Sequence, residues 1–119
     1  MYLSEIFKAL GDDNRLRILN LLSKHELCVC QIIDVIKILQ PNASKHLIKL
    51  RYAGIASCRK ISQWCFYSIS DSFKEQHESL LDFLIKEWES RKQYIDDMEL
   101  LERNLADKDC YQKLLENNK

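Results

Sequence analysis

One stretch constrains this chain more than any other: residues 26–54, ELCVCQIIDVIKILQPNASKHLIKLRYAG. It holds the only proline of the sequence and one of its two glycines. Ile32, Ile33, Val35, Ile36 and Leu39 fall at helical spacing, which predicts a first helix over 28–38 with one buried face. Leu39-Gln40-Pro41 is a break. Proline is tolerated best at the first helical position, where its missing N–H is no loss, so Pro41 starts a second helix. That helix is expected over 41–53, with Leu47, Ile48 and Leu50 facing the core and Asn42, Ser44, Lys45, His46 and Lys49 left for the other side. Gly54 stands where a helix-ending left-handed residue is wanted. Two short helices, a tight turn and a polar basic face on the second make a helix-turn-helix pattern. The bland reading is an α-hairpin with a solvated face.

The next segment changes character. Residues 55–70, IASCRKISQWCFYSIS, gather β-branched and aromatic residues on both sides of a polar centre. This predicts a hairpin with strands over 56–60 and 64–69, placed as a wing behind the second helix. Its centre lacks Gly, Asn and Asp, so a connection longer and looser than two residues is expected.

Charge supports a nucleic-acid surface although the net charge is zero. Residues 1–34 carry four Lys/Arg against five Asp/Glu, residues 35–70 six against none, and residues 71–119 eight against thirteen. The positive excess is confined to Lys37, Lys45, Lys49, Arg51, Arg59 and Lys60, an electrostatic footprint for phosphates.

At 119 residues the length suits one domain with a modest core. A helix is expected over 2–10, with Leu3, Ile6, Phe7 and Leu10 on one face. Gly11-Asp12-Asp13-Asn14 stops it and caps a second helix over 15–23. Beyond the wing, Asp71-Ser72 offers a cap. Phe73, His77, Leu80, Leu84, Trp88, Arg91, Ile95 and Met98 then step by three or four, one stripe on a helix of about thirty residues. A stripe that long suits packing on a symmetry mate; the alternative is a helix folded back on its own chain. The expected fold is mainly α with a small β-hairpin: a winged helix-turn-helix over residues 1–105, dimerised through terminal helices, and a tail over 106–119.

Several stretches together resemble the ArsR/SmtB family of metal-responsive repressors. Phe7-Lys8-Ala9-Leu10-Gly11-Asp12 with Arg15-Leu16-Arg17-Ile18-Leu19 looks like the family's opening. Pro41-Asn42-Ala43-Ser44-Lys45-His46-Leu47 with Leu50-Arg51-Tyr52-Ala53-Gly54-Ile55 looks like its recognition helix. Residues 64–68 resemble its second wing strand. Glu26-Leu27-Cys28-Val29-Cys30 looks like the thiol box of the arsenic- and cadmium/lead-sensing branches. The resemblance covers roughly residues 3–105 and implies a cytoplasmic homodimer that sits on operator DNA and leaves it when metal binds. Nothing suggests a signal peptide or a membrane span.

The chemistry of the box agrees with that resemblance. Five cysteines in a chain of this kind suit reduced thiols better than a disulfide framework. Soft thiolates select As(III), Sb(III), Cd(II) or Pb(II) over hard ions. Cys28 and Cys30 are two apart, and inside a regular helix they would point about 200° apart. They can share one ion only where the helix start is irregular or distorts on binding. The bland alternative is a pair of small buried hydrophobes. The position three beyond Cys30, cysteine in some arsenic sensors, is Ile33, and no cysteine precedes Cys28. Among Cys58, Cys65 and Cys110, reach favours Cys110 as third ligand; a two-coordinate or water-completed site is its rival. His25 is a possible nitrogen ligand. His77 is a stripe residue, so a zinc-type site on the last helix is not expected.

For DNA, Gln40, Asn42, Ser44 and His46 are the candidates for base edges, Lys45, Lys49, Arg59 and Lys60 are expected mostly on phosphates, and Gln63 is a further DNA-binding candidate. The competing reading is a repressor switched by oxidation of two cysteines with no metal. A pure protein-interaction module would show no salt-dependent DNA affinity. An enzyme is not expected: there is no catalytic carboxylate pair, no Ser/His/Asp arrangement and no glycine-rich phosphate loop.

Overall fold

A computed structural model describes residues 2–107. The elements run α1 (Leu3–Leu10), α2 (Asp13–Leu22), β1 (Leu27–Cys28), α3 (Val29–Ile36), α4 (Gln40–Tyr52), β2 (Ala56–Ile61), β3 (Trp64–Ile69), α5 (Asp71–Gln76), α6 (Glu78–Ser90) and α7 (Lys92–Ala106). The fold is a winged helix-turn-helix: helices around a three-stranded antiparallel sheet of order β1-β3-β2.

Local chemistry explains most boundaries. Asp12 caps α2, its carboxylate accepting the Arg15 N–H at 3.0 Å. Leu39 precedes α4 in extended conformation and Pro41 lies in the first turn. After α4, Gly54 takes φ 76°, as the sequence suggests. α3 stops earlier than expected. Lys37 follows Ile36 in the left-handed region at φ 61°, so the turn is built by a lysine and not at Leu39-Gln40. Leu39 and Ile48, assigned to the core from spacing, are both exposed, because α4 buries Ala43, Leu47 and Leu50 alone.

The wing departs from expectation in the opposite sense. Ile61 pairs with Trp64, so the connection is the two-residue turn Ser62-Gln63, with Ser62 at φ 58°. Left-handed backbone costs a non-glycine residue roughly 1–2 kcal/mol, and the ladder from Ala56↔Ile69 to Ile61↔Trp64 supplies the compensation. β1 was not expected at all. It pairs Leu27 with Tyr67 and Cys28 with Phe66.

The long C-terminal helix is a correction. It breaks at His77 and Arg91, both outside helical backbone, and gives three helices. Its first cap is Ser70, which accepts the Phe73 N–H and donates to the Gly54 carbonyl at 2.7 Å. α7 then folds back on α2 and α3 of its own chain. Arg17 grips Asp97 through two bonds, 2.8 and 3.0 Å, and Gln93 donates to the same carboxylate. Asn20 donates to the Tyr94 carbonyl at 3.0 Å. Trp88 and Leu101 complete the burial in a core with Ile18, Leu21, Ile32, Leu47, Leu50 and Ile55.

Asp97 is 4% exposed, so Asp97→Ala strands a partly buried guanidinium and breaks the α2–α7 tie. It should cost about 3 kcal/mol in denaturant unfolding. Lys92→Ala removes only the exposed Lys92–Asp96 pair and should cost under about 1 kcal/mol. Equal losses for the two variants would remove the tie from the account of α7.

Candidate sensor and DNA surface

The two cysteines of the box lie at a strand-to-helix junction. Cys28 ends β1 and caps α3 in extended conformation, φ −84° and ψ 166°, while Cys30 is the second residue of α3. The helical angle of about 200° therefore does not apply, and the sulfurs stand 2.8 Å apart. The start of α3 is therefore irregular at its cap. Gln31 holds this geometry, its Oε1 accepting the Cys28 N–H at 2.9 Å in a capping box. Phe66, across the ladder, buries Cys28 to 1% exposure, with Cys30, Ile61 and Trp64 around them. Burial pushes the Cys28 thiol up, against backbone hydrogen bonds that pull it down, so it is a thiol at neutral pH. Ligation concerns the reduced chain, since the thiolate is the metal ligand.

Other donors are placed elsewhere. Cys58 opposes Tyr67 and Cys65 opposes Lys60, whereas Cys28 opposes Phe66. Strand alternation puts the wing cysteines on the sheet face opposite Cys28. His25 faces α7, with Nε2 2.9 Å from Glu102. Among the described residues no three His, Cys, Asp or Glu side chains cluster as a metal site. Cys110 lies outside the described residues.

On the second surface, Gln40, Asn42, Lys45 and Lys49 are exposed along α4, and Ser44 is half-buried. Lys60 and Gln63 are exposed at the wing tip. None of Lys45, Lys49, Arg51 and Lys60 forms an ion pair among the described residues. Two candidates are engaged internally. Arg59 clasps Glu26 at 2.7 and 2.8 Å, bracing the segment before β1 against β2 and holding the Glu26 carboxyl below the usual range. His46 is half-buried, with Nδ1 3.2 Å from an Arg15 nitrogen and 3.9 Å from Asp12. Arg15 also donates to the Ala9 and Lys8 carbonyls at 2.7 and 3.2 Å, tying α1 to α4.

Burial holds the His46 imidazole below its ordinary range, with Arg15 and Lys49 pushing the same way and Asp12 opposing. A guanidinium only donates, so Nδ1 accepts and the proton sits on Nε2. Sequence reasoning missed the Arg15 and Glu26 contacts, which join residues 31 and 33 positions apart. It also missed Ile48 and Tyr52, exposed beside the lysines.

The family described as "Bacterial regulatory protein, arsR family" matches residues 12–57. An uncharacterized HTH-type transcriptional regulator of Methanocaldococcus jannaschii is 48% identical over 82 residues, 68% of this chain and 92% of that protein. The arsenical resistance operon repressor of Escherichia coli is 33% identical over 107 residues, 89% of this chain and 86% of that one. Among solved structures, the homodimeric winged helix-turn-helix DNA-binding domain of a possible ArsR-family regulator from Mycobacterium bovis superposes with TM-score 0.62 at 26% identity. That match covers 71% of this chain and 79% of that one.

The depressed His46 group gives a signed expectation. The folded chain binds this proton less readily than the unfolded one, so stability is full above about pH 6.5 and falls below it. Unfolding free energy measured from pH 7.5 to 5.5 should drop in the native chain, and His46→Gln should drop less. Identical profiles would contradict a neutral His46.

Proposed function

The chain belongs to the arsR family of DNA-binding transcriptional regulators, not enzymes, and from that premise we propose a homodimeric repressor released from operator DNA by As(III) or Sb(III) at Cys28 and Cys30. The carrying observation is the 2.8 Å approach of the two sulfurs at a junction that leads into α3 and then α4. α4 enters the major groove and the wing follows the backbone, with half-sites about 34 Å apart or a multiple of it. Gln40, Asn42, Ser44 and His46 are assigned to base edges; Lys45, Lys49, Lys60 and Gln63 to phosphates and their flank. Arg59 contributes mainly by holding the wing to Glu26.

The ligand chemistry balances without an oxidant. Two thiols and As(OH)3 give a dithiolate arsenic hydroxide and two waters: two As–S bonds form and two As–O bonds break. A third thiol exchanges the remaining hydroxide for another water. Cys110 is our first choice for it, and a hydroxide-completed site is the form that Cys28 and Cys30 alone support. A soft divalent ion such as Cd(II) or Pb(II) must instead displace protons from these thiols. The relation to an arsenical resistance operon repressor favours the metalloid.

The decisive experiment follows fluorescence anisotropy of a duplex selected from a random pool by the reduced, metal-free protein. Arsenite is added with excess phosphine reductant. The native chain should release DNA, while Cys28→Ser and Cys30→Ser should bind and stay bound. Release requires the ion to favour the off-DNA shape by about 1–3 kcal/mol in a typical coupling. Full arsenite response in both variants ends the metalloid reading; release only on removal of reductant replaces it with the redox switch.

The dimer is placed on terminal helices, in revised form. Leu84 packs into the core of its own chain, whereas Phe83 on α6, Ile95 on α7 and Phe7 on α1 are exposed, Phe83 at 57%. Phe83→Asp would set an unpaired charge in the contact and cost about 3 kcal/mol of association. Light scattering at micromolar concentration should then give a monomer with unchanged circular dichroism. A surviving dimer would move the interface elsewhere.

A further inference from the structure

We propose that Ile48 is a specificity-determining residue of the DNA surface, packing against the C5-methyl group of a thymine in the major groove. The inference rests on the repressor reading and extends it to one side chain and one base atom. Ile48 is 44% exposed although it follows Leu47, which is fully buried. One residue along a helix turns the side chain by about 100°, so Ile48 leaves the face of Ala43, Leu47 and Leu50. It stands instead among exposed Lys45, Lys49 and Arg51.

Ile48 is a ridge between two clefts. On one flank, about 500 Å³ is bounded by Asn42, Lys45, Lys49 and Tyr52. On the other, about 430 Å³ separates α4 from Ser57 and Cys58 of β2. A β-branched group raised between clefts on a helix fits the floor of a groove whose walls are phosphates. Two occupants could cover an exposed isoleucine there. A second copy of this face would bring its own Lys45, Lys49 and Arg51 against these, and residues 35–70 hold no acid to offset them. DNA brings the opposite charge to the lysines and, in thymine, an apolar methyl to Ile48.

Replacing thymine by deoxyuridine removes that methyl and leaves pairing and O4 unchanged. Duplexes selected by the native chain are remade with one deoxyuridine at each thymine position in turn. Native chain, Ile48→Ala and Lys49→Ala are titrated on each by anisotropy. At one thymine per half-site, deoxyuridine should weaken the native chain about fourfold, the worth of one buried methyl-sized group. Ile48→Ala should bind both duplexes alike at that site, and Lys49→Ala should weaken on both equally and keep the fourfold ratio. Ile48→Ala, altered at an exposed site, should melt with the native chain. Absence of an enriched thymine, indifference of the native chain to every deoxyuridine, or a ratio that persists in Ile48→Ala overturns the inference and leaves the repressor standing. Absence of saturable duplex binding overturns the repressor reading and this one with it.

Discussion

The pairing of β1 with β3 is the contact on which sensor and wing both depend. It is two residues long, Leu27 with Tyr67 and Cys28 with Phe66. An isolated two-residue strand has no stability of its own. This one is held by the β2–β3 hairpin beyond it, by the fully buried Leu27 and Phe66, and by the Glu26–Arg59 clasp to β2. Because Cys28 is the last residue of that strand, its backbone is extended when α3 begins. Without the strand, Cys28 and Cys30 would lie on opposite sides of a helix.

Two arginines do for the helices what this ladder does for the sheet. Arg15 gathers the end of α1 and the middle of α4 around the start of α2. Arg17, two residues on, holds α7 through Asp97. Buried ion pairs are weak sources of net stability, since desolvation offsets much of the attraction. Their effect is on placement. A neutral His46 fits this arrangement, because an imidazolium would meet the Arg15 guanidinium at 3.2 Å.

The helix-turn-helix and the wing were legible because their signals are local. Pro41, Gly54, the β-branched run and the charge pattern each act within a few residues. The short strand was not legible: two residues carry no period, and Leu27-Cys28 becomes a strand only against Tyr67 and Phe66. The C-terminal breaks were hidden for a related reason. His77 and Arg91 are neither glycine nor proline, and the stripe keeps its spacing of three or four across both. Non-helical backbone there, φ −132° and ψ 42° at His77 and φ −112° and ψ 130° at Arg91, lets α7 reach α2 and α3. In the candidate sensor, cysteine spacing named the pair, but whether the two sulfurs could meet depended on that strand. On α4, spacing could not tell exposed Ile48 from buried Leu47, since both are apolar and adjacent.

The same junction suggests why a small ligand could act on a surface this large. Two routes leave Cys28. One runs through α3 and the left-handed Lys37 to α4; the other runs through the ladder to β3 and through Glu26 to β2. In the proposed repressor these end on the two elements that touch DNA. An ion shared by Cys28 and Cys30 would have to part sulfurs that now stand 2.8 Å apart, and that would work on the capping box at Gln31 and the Phe66 contact together. Phosphate contacts depend on relative placement across many ångströms of duplex, and a small change in the angle between α4 and the wing weakens several at once. In the proposed repressor the coupling would follow from where the cysteines sit, at the junction of β1, which pairs with the wing strand β3, and α3, which leads into α4.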